Sequence, residues 1–466
     1  MSRARIAGAI RDSVSGLPTA FWWLWVSTLV NRLGAFVATF MTLYLTLERG
    51  FSASFAGLVA ALYGLGGVVS TPIAGVLTDR LGRRPTLLVS QLGTALTVAV
   101  LGFMEHPVAI AVMAALVGMA SNASRPAVQA MMADIVPERD RVRAFALNYW
   151  AINLGFAVSA AAAGFVAEWS YLAGFLGEAV LTLVCAVLVF VRLPESRPEP
   201  VAPAGAAGAA GAGAQEGGDG GSGLGAVLRD GRFMGVVGLS FLISLIFTQG
   251  SVGLPVAMGR EGYSSGDYGM VVMVNGLLIV LLQIPVTRFI QHRDPRRLLV
   301  ISALLAGYGF ALTALAGSLW MYALTVCVWT LAEIVNSPTQ MSLVVRLSPA
   351  SARGRYQGVY SMSWAVASLV APLMAGTVVD RFGAGWLWAS VGVLGTVAGL
   401  GYWLLMRDLP AESSAVVPVP VPVPVPVDGA SVAPAPVAAP GPGPVAAPAE
   451  PRGGSGRDRD REPTAG

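Results

Sequence analysis

Four ionisable side chains stand inside long apolar runs of this 466-residue chain: Arg32, Arg125, Glu178 and Glu333. Near the middle of a helix in hydrocarbon, such a group costs about 2.5–3.5 kcal/mol or more, so it is kept where it pairs or works. Arg32 and Glu333 fall near the middle of their runs, Arg125 nearer one end, and Glu178 close to a helix start. Burial favours the neutral form of a carboxylic acid, and an approaching arginine favours the charged form. A carboxylate that meets an arginine in only one conformation would load and release a proton as the protein alternates. Static pairing that fastens helices is the other reading of the same residues.

Helical spacing adds polar partners. Asn122, Arg125 and Gln129 fall at i, i+3 and i+7, as do Glu333, Asn336 and Gln340, so each set shares one helix face. Both stripes are expected to turn away from lipid and line a common path. The chain has two histidines, and its two cysteines, Cys185 and Cys327, sit in separate apolar runs. That pattern predicts neither a metal site nor a disulfide framework. With no nucleophile triad and no phosphate-cradling glycine loop ending in Lys-Ser/Thr, no catalytic residue, cofactor or ATP-driven step is expected.

The elements that must hold these groups follow from composition. Hydrophobic residues make up 55% of the chain and charged residues 12%, whereas a soluble domain carries about 25% charged residues. Lipid resolves the mismatch as the solvent for an apolar outer surface. Apolar runs long enough to cross a bilayer as helices lie near 20–46, 54–77, 85–104, 107–132, 143–167 and 171–191. A second set lies near 232–257, 268–290, 296–317, 319–344, 356–379 and 384–406. The runs are continuously apolar rather than alternating, which favours helices over a barrel. The predicted fold is an all-α membrane protein: twelve transmembrane helices in two pseudo-symmetric six-helix bundles.

The predicted division is an N-terminal tail (1–19), a first bundle (20–193), a linker (194–231), a second bundle (232–407) and a C-terminal tail (408–466). Linker and tail are rich in Gly, Ala, Pro and Val, compositions that cannot bury enough surface to order themselves. The halves repeat. Pro137, Arg141, Arg143, Gly164 and Glu168 recur 212 positions on as Pro349, Arg353, Arg355, Gly376 and Asp380. A register one shorter carries Asn122, Arg125 and Gln129 onto Glu333, Asn336 and Gln340. A duplicated bundle predicts a substrate site near the midplane between the halves. All the basic residues are arginine, and they crowd the N-terminal tail and the even-to-odd loops, leaving Arg49, Arg260 and Arg381 opposite. The positive-inside rule then puts both termini in the cytoplasm of a bacterial inner-membrane protein.

One loop is specific. Residues 75–85 read GVLTDRLGRRP, with Gly75, Asp79, Arg80, Gly82, Arg83 and Arg84 at fixed offsets. Gly82 permits a tight turn and Gly75 close approach by a neighbouring helix. This stretch resembles the signature loop of the major facilitator superfamily, and with the six-plus-six repeat the resemblance spans about residues 18–410. It implies a gate in which Asp79 docks against the start of the eleventh helix. Antiporter members carry Gly-Pro in the fifth helix; here that region has Gly155 and Gly164 without the proline. The resemblance to bacterial multidrug-type members implies a secondary active transporter, proton-coupled and exporting drug-like or amphipathic molecules. Its expected partners are a small-molecule substrate, H+ and lipid, without nucleic acid, and the expected state is a monomer. A sugar or peptide importer and a non-transporting sensor or scaffold are the alternatives.

Overall fold

The computed structural model describes residues 16–196, 224–290, 293–349 and 353–407. Most of the predicted N-terminal tail and linker, and all of the predicted C-terminal tail, lie outside the described residues. Among those described there are helices and no strand.

Among the described residues, twelve helices are long and apolar enough to cross a bilayer. The first six are α1 (Thr19–Glu48), α2 (Ala53–Thr78), α3 (Arg83–Gly102), α4 (Pro107–Ile135), α5 (Arg143–Trp169) and α6 (Tyr171–Arg192). The second six are α7 (Gly231–Arg260), α8 (Ser265–Ile290), α9 (Pro295–Leu315), α10 (Leu319–Leu347), α11 (Arg355–Phe382) and α12 (Ala384–Leu405). Side-chain caps set many of the starts: Ser52, Ser170, Asp230, Asp294 and Ser318 each accept from a backbone N–H in the first turn. The start of α1 and the end of α12 share one face, called here the terminus face. The opposite, loop face carries the connections after α1, α3, α5, α7, α9 and α11.

The packing repeats with the chain. α1 lies against α5 and α6, α2 against α4, and α3 against α4 and α6. Six helices on, α7 lies against α11 and α12, α8 against α10, and α9 against α10 and α12. The halves are joined chiefly by α2 with α11 and α5 with α8, equivalent under the same repeat, and also where the second segments of α1 and α7 meet. Glycines and alanines let these backbones meet without a hydrophobic drive. Large apolar side chains such as Val89, Phe190, Leu281, Leu324 and Leu400 remain on the outside. In water, burying such surface would be favoured by about 25 cal/mol per Å²; hydrocarbon removes that penalty.

Three of the predicted continuous runs are interrupted. α1 stops at Leu33 and restarts at Val37, α4 breaks at Ala123, and α7 breaks between Thr248 and Gly253. The breaks in α1 and α7 occupy equivalent places in the two halves. Backbone freed at mid-membrane must find another partner, and in α1 it does so through a carboxylate described below.

Candidate functional site at the junction of the bundles

The broken helices open the centre of the molecule. A small cavity of about 40 Å³ lies where α1, α2, α7 and α11 meet, bounded by Met41, Tyr63, Thr248, Ser251 and Pro372 among others. A second, smaller space of about 10 Å³ adjoins it through Ala38 and Ser251 and reaches α5, α8 and α10. Its walls include Phe156, Tyr268, Asn275 and Trp329. The Tyr268 hydroxyl donates to the Gly250 carbonyl in the α7 break at 3.2 Å. Trp329 stacks on Phe310 with ring centroids 4.9 Å apart. Among the described residues its indole N–H has no hydrogen-bond partner. The junction is therefore mostly apolar and aromatic, with a few polar groups at its edge.

Glu333 lies one hydrogen bond behind that edge. Asn275 Nδ2, on the wall of the second space, donates to Glu333 Oε2 at 3.0 Å and lies 3.0 Å from Thr330 Oγ1. Tyr149 of α5 packs with Ile279 and with Ile334, the residue next to Glu333, of the other half. Asn153, one turn on from Tyr149, is buried and donates to the Tyr149 carbonyl at 2.9 Å. Glu333 is thus a carboxylate in the second bundle set against the first across the α5–α8 seam.

The other predicted site residues are not gathered there. Glu178 accepts the backbone N–H groups of Phe36 at 3.0 Å and Val37 at 2.7 Å, so it caps the second segment of α1 at its break. Charge-assisted bonds of this kind are strong in a low dielectric. Arg32 lies one turn before that break, beside Gly155, where a β-carbon would sit 2.6 Å from Arg32 Cβ. Asn336 donates to Ser302 of α9 at 3.0 Å, and Gln340 donates to Ser240 of α7 and, at 3.0 Å, to Tyr402 of α12. Both are buried inside the second bundle. Asn122 donates to Gly118 of its own helix at 2.8 Å, directly before the α4 break, with the half-buried Arg125 and Gln129 after it. None of Arg32, Arg125, Glu178, Glu333, Asn122, Gln129, Asn336 and Gln340 lines either central space; Glu333 reaches the second only through Asn275. One helical face does not mean one destination, because a bundle helix has neighbours on several sides.

The signature loop is tied into its own bundle. α2 runs on to Leu81, Gly82 takes φ +110°, and α3 starts at once with Arg83. Glu195, just past α6, accepts the N–H groups of Arg83 at 2.9 Å and Arg84 at 3.2 Å. The Arg83 guanidinium meets Asp134 at 2.8 Å and the Thr78 carbonyl at 3.1 Å, and Arg84 donates to the Phe190 carbonyl. Arg80 is exposed, and a β-carbon on Gly75 would meet nothing within 4 Å. The Asp79 side chain lies outside the described residues, as does its expected docking.

Sequence models agree with this architecture. The family model described as Major Facilitator Superfamily matches residues 24–372 and 251–439. The chain belongs to the major facilitator superfamily. It is 26% identical over 387 residues to the Na(+), Li(+), K(+)/H(+) antiporter of Planococcus maritimus, covering 78% of this chain and 90% of that protein. It is 26% identical over 348 residues to the class C tetracycline resistance protein of Escherichia coli, covering 72% and 82%. Among solved structures, a POT family transporter in complex with 5-aminolevulinic acid superposes with a TM-score of 0.68 at 16% identity, covering 84% of this chain and 96% of that one. As a major facilitator protein, the chain is a multi-pass membrane transporter of small molecules and not an enzyme. For this transporter, sequence reasoning passed over Tyr149, Asn275 as the partner of Glu333, Asp134 and Glu195. Glu195 sits in the VRLPES segment, which stood out only as a mark of the repeat.

Proposed function

We propose that this major facilitator protein exports drug-like or amphipathic molecules in exchange for protons, by alternating access, with both termini in the cytoplasm. The observation that carries the reading is Glu333, a carboxylate that accepts from Asn275 on the aromatic wall of the second space. An apolar wall of Phe156, Tyr268 and Trp329 favours an apolar or aromatic body, and the unfilled Trp329 N–H favours a substrate with a hydrogen-bond acceptor. Proton occupancy of Glu333 changes the charge at the seam, so rocking of the bundles and loading of the site become linked equilibria. Down a potential of 100 mV each proton carries about 2.3 kcal/mol, enough for a roughly fortyfold substrate gradient. The arginine asymmetry supports the orientation. Similarity to a tetracycline resistance protein and a cation/proton antiporter supports proton-linked export.

The test is Glu333→Gln in proteoliposomes with an imposed pH gradient. Gradient-driven flux is expected to be lost while substrate exchange without a gradient survives. Full gradient-driven flux in that variant would overturn the assignment. A second reading is exchange of a monovalent cation for protons, favoured by the amide and hydroxyl beside the Glu333 carboxylate, since oxygen ligands suit hard cations. Luminal pH changes on adding Na+, Li+ or K+ to the same vesicles, with no organic substrate, would select it.

A further inference from the structure

On the loop face, two carboxylates 212 positions apart do the same thing in opposite directions. Glu168, at the end of α5, sits on the first turn of α8. Its Oε1 accepts the Gly266 N–H at 3.2 Å and the Ser264 hydroxyl. Asp380, at the end of α11, sits on the first turn of α2. It accepts the N–H groups of Ala53 at 3.2 Å and Ser54 at 2.6 Å, and Arg260 meets the same carboxylate at 2.6 Å. The helix-start contacts cross from one bundle to the other, each setting a negative charge against the positive end of a helix dipole, while the Arg260–Asp380 pair lies within the second bundle. One turn earlier, Gly164 and Gly376 clear the approach. A β-carbon on Gly164 would come within 2.8 Å of the Ser265 carbonyl, and one on Gly376 would overlap the Ala53 carbonyl. The Tyr171 and Ser265 hydroxyls meet at 2.6 Å beside the Glu168 contact.

The repeat alone explains why the residues match, but not why both halves use them to hold the partner bundle. An internal helix cap would serve its own bundle; these two cap helices of the opposite bundle, and Arg260 also ties Asp380 to α7 of its own half. We propose that Glu168 and Asp380 form a two-point latch that holds the loop face closed, and that neutralising them releases the bundles to open there. The inference rests on alternating access in the family and on no particular substrate, and its test reads the gate rather than transport.

The experiment uses the full chain with Cys185→Ala and Cys327→Ala and a reporter at Ser251→Cys, which lines both central spaces. A membrane-impermeant maleimide is added to intact cells, which present the loop face under the proposed orientation, and to inside-out vesicles. With the latch intact, labelling is expected from the terminus-face side. Glu168→Gln with Asp380→Asn is expected to raise labelling in intact cells at least fivefold, and each single variant at least twofold. An unchanged rate, in protein whose thermal unfolding in detergent is also unchanged, overturns the latch. If the double variant does not fold, the single variants decide: no rise with either one overturns it. Loss of flux in Glu333→Gln has no bearing on this readout, so the two ideas fail separately.

Discussion

Glu178 and Glu333 look alike in sequence, single acids in apolar helices, yet their surroundings give them different work. Glu178 holds two backbone N–H groups at the break in α1, whereas Glu333 holds one amide of a cavity wall, beside Ile334, which packs with Tyr149 of the other bundle. Removing the acceptor at Glu178 leaves buried donors unsatisfied, at about 1–3 kcal/mol. Glu178→Ala should therefore lower thermal stability in detergent by an amount of that order. Glu178→Gln keeps an acceptor oxygen and should lower it less, while retaining the gradient-driven flux that Glu333→Gln loses. Equal loss of coupling in both glutamine variants would return Glu178 to the proton path. Residue type and depth made both acids legible as candidates. Which one caps and which one borders the cavity was not legible, because that depends on a helix break that hydropathy does not register.

At the level of helices, the twelve spans were readable because run length is a direct consequence of bilayer thickness. The breaks were not. Pro72, Pro338 and Pro372 lie inside unbroken helices, while α1 breaks at Gly-Ala-Phe with no proline nearby. A break persists where something satisfies the exposed backbone, and that partner comes from another helix. Close packing separates in the same way into contacts within a bundle and contacts between bundles. Gly307 of α9 meets Gly395 of α12 within one bundle, where a β-carbon on Gly307 would lie 2.6 Å from the Gly395 Cα. Gly376 of α11 meets Ala53 and Ser54 across the seam. A wedge inside a packed bundle costs typically about 1–3 kcal/mol, and no motion of the cycle relieves it. A wedge at the seam can be relieved by opening the loop face. Gly395→Val should therefore reduce thermal stability and leave labelling of Ser251→Cys from the loop face unchanged, whereas Gly376→Val should do the reverse. Identical behaviour of the two variants would contradict the view of the bundles as rigid bodies hinged at the seam.

For the whole molecule, the α2–α11 seam records one state and carries the surface for another. Gly57 and Gly75 are eighteen positions apart on α2, as are Gly358 and Gly376 on α11. At 3.6 residues per turn that is five turns, so each helix presents both of its glycines on one face. The helices run in opposite directions, which sets Gly57 level with Gly376 and Gly75 level with Gly358. At the loop face a β-carbon on Gly57 would overlap the Pro372 carbonyl, while at the terminus face one on Gly75 or Gly358 would meet nothing within 4 Å. The molecule is therefore closed at one end of this seam and open at the other. A rigid rocking motion that parts Gly57 from Pro372 would bring the second pair of glycines together. The consequence is reciprocal exposure. A thiol at Gly358→Cys should react readily from the terminus-face side while the latch is intact. Glu168→Gln with Asp380→Asn should then protect it by about the factor by which they expose Ser251→Cys from the other side. A leucine at Gly358 should block the second closure, leaving substrate binding measurable and net transport absent. If neutralising the latch exposed Ser251→Cys while Gly358→Cys reacted as before, the bundles would be loosening rather than exchanging one closure for the other.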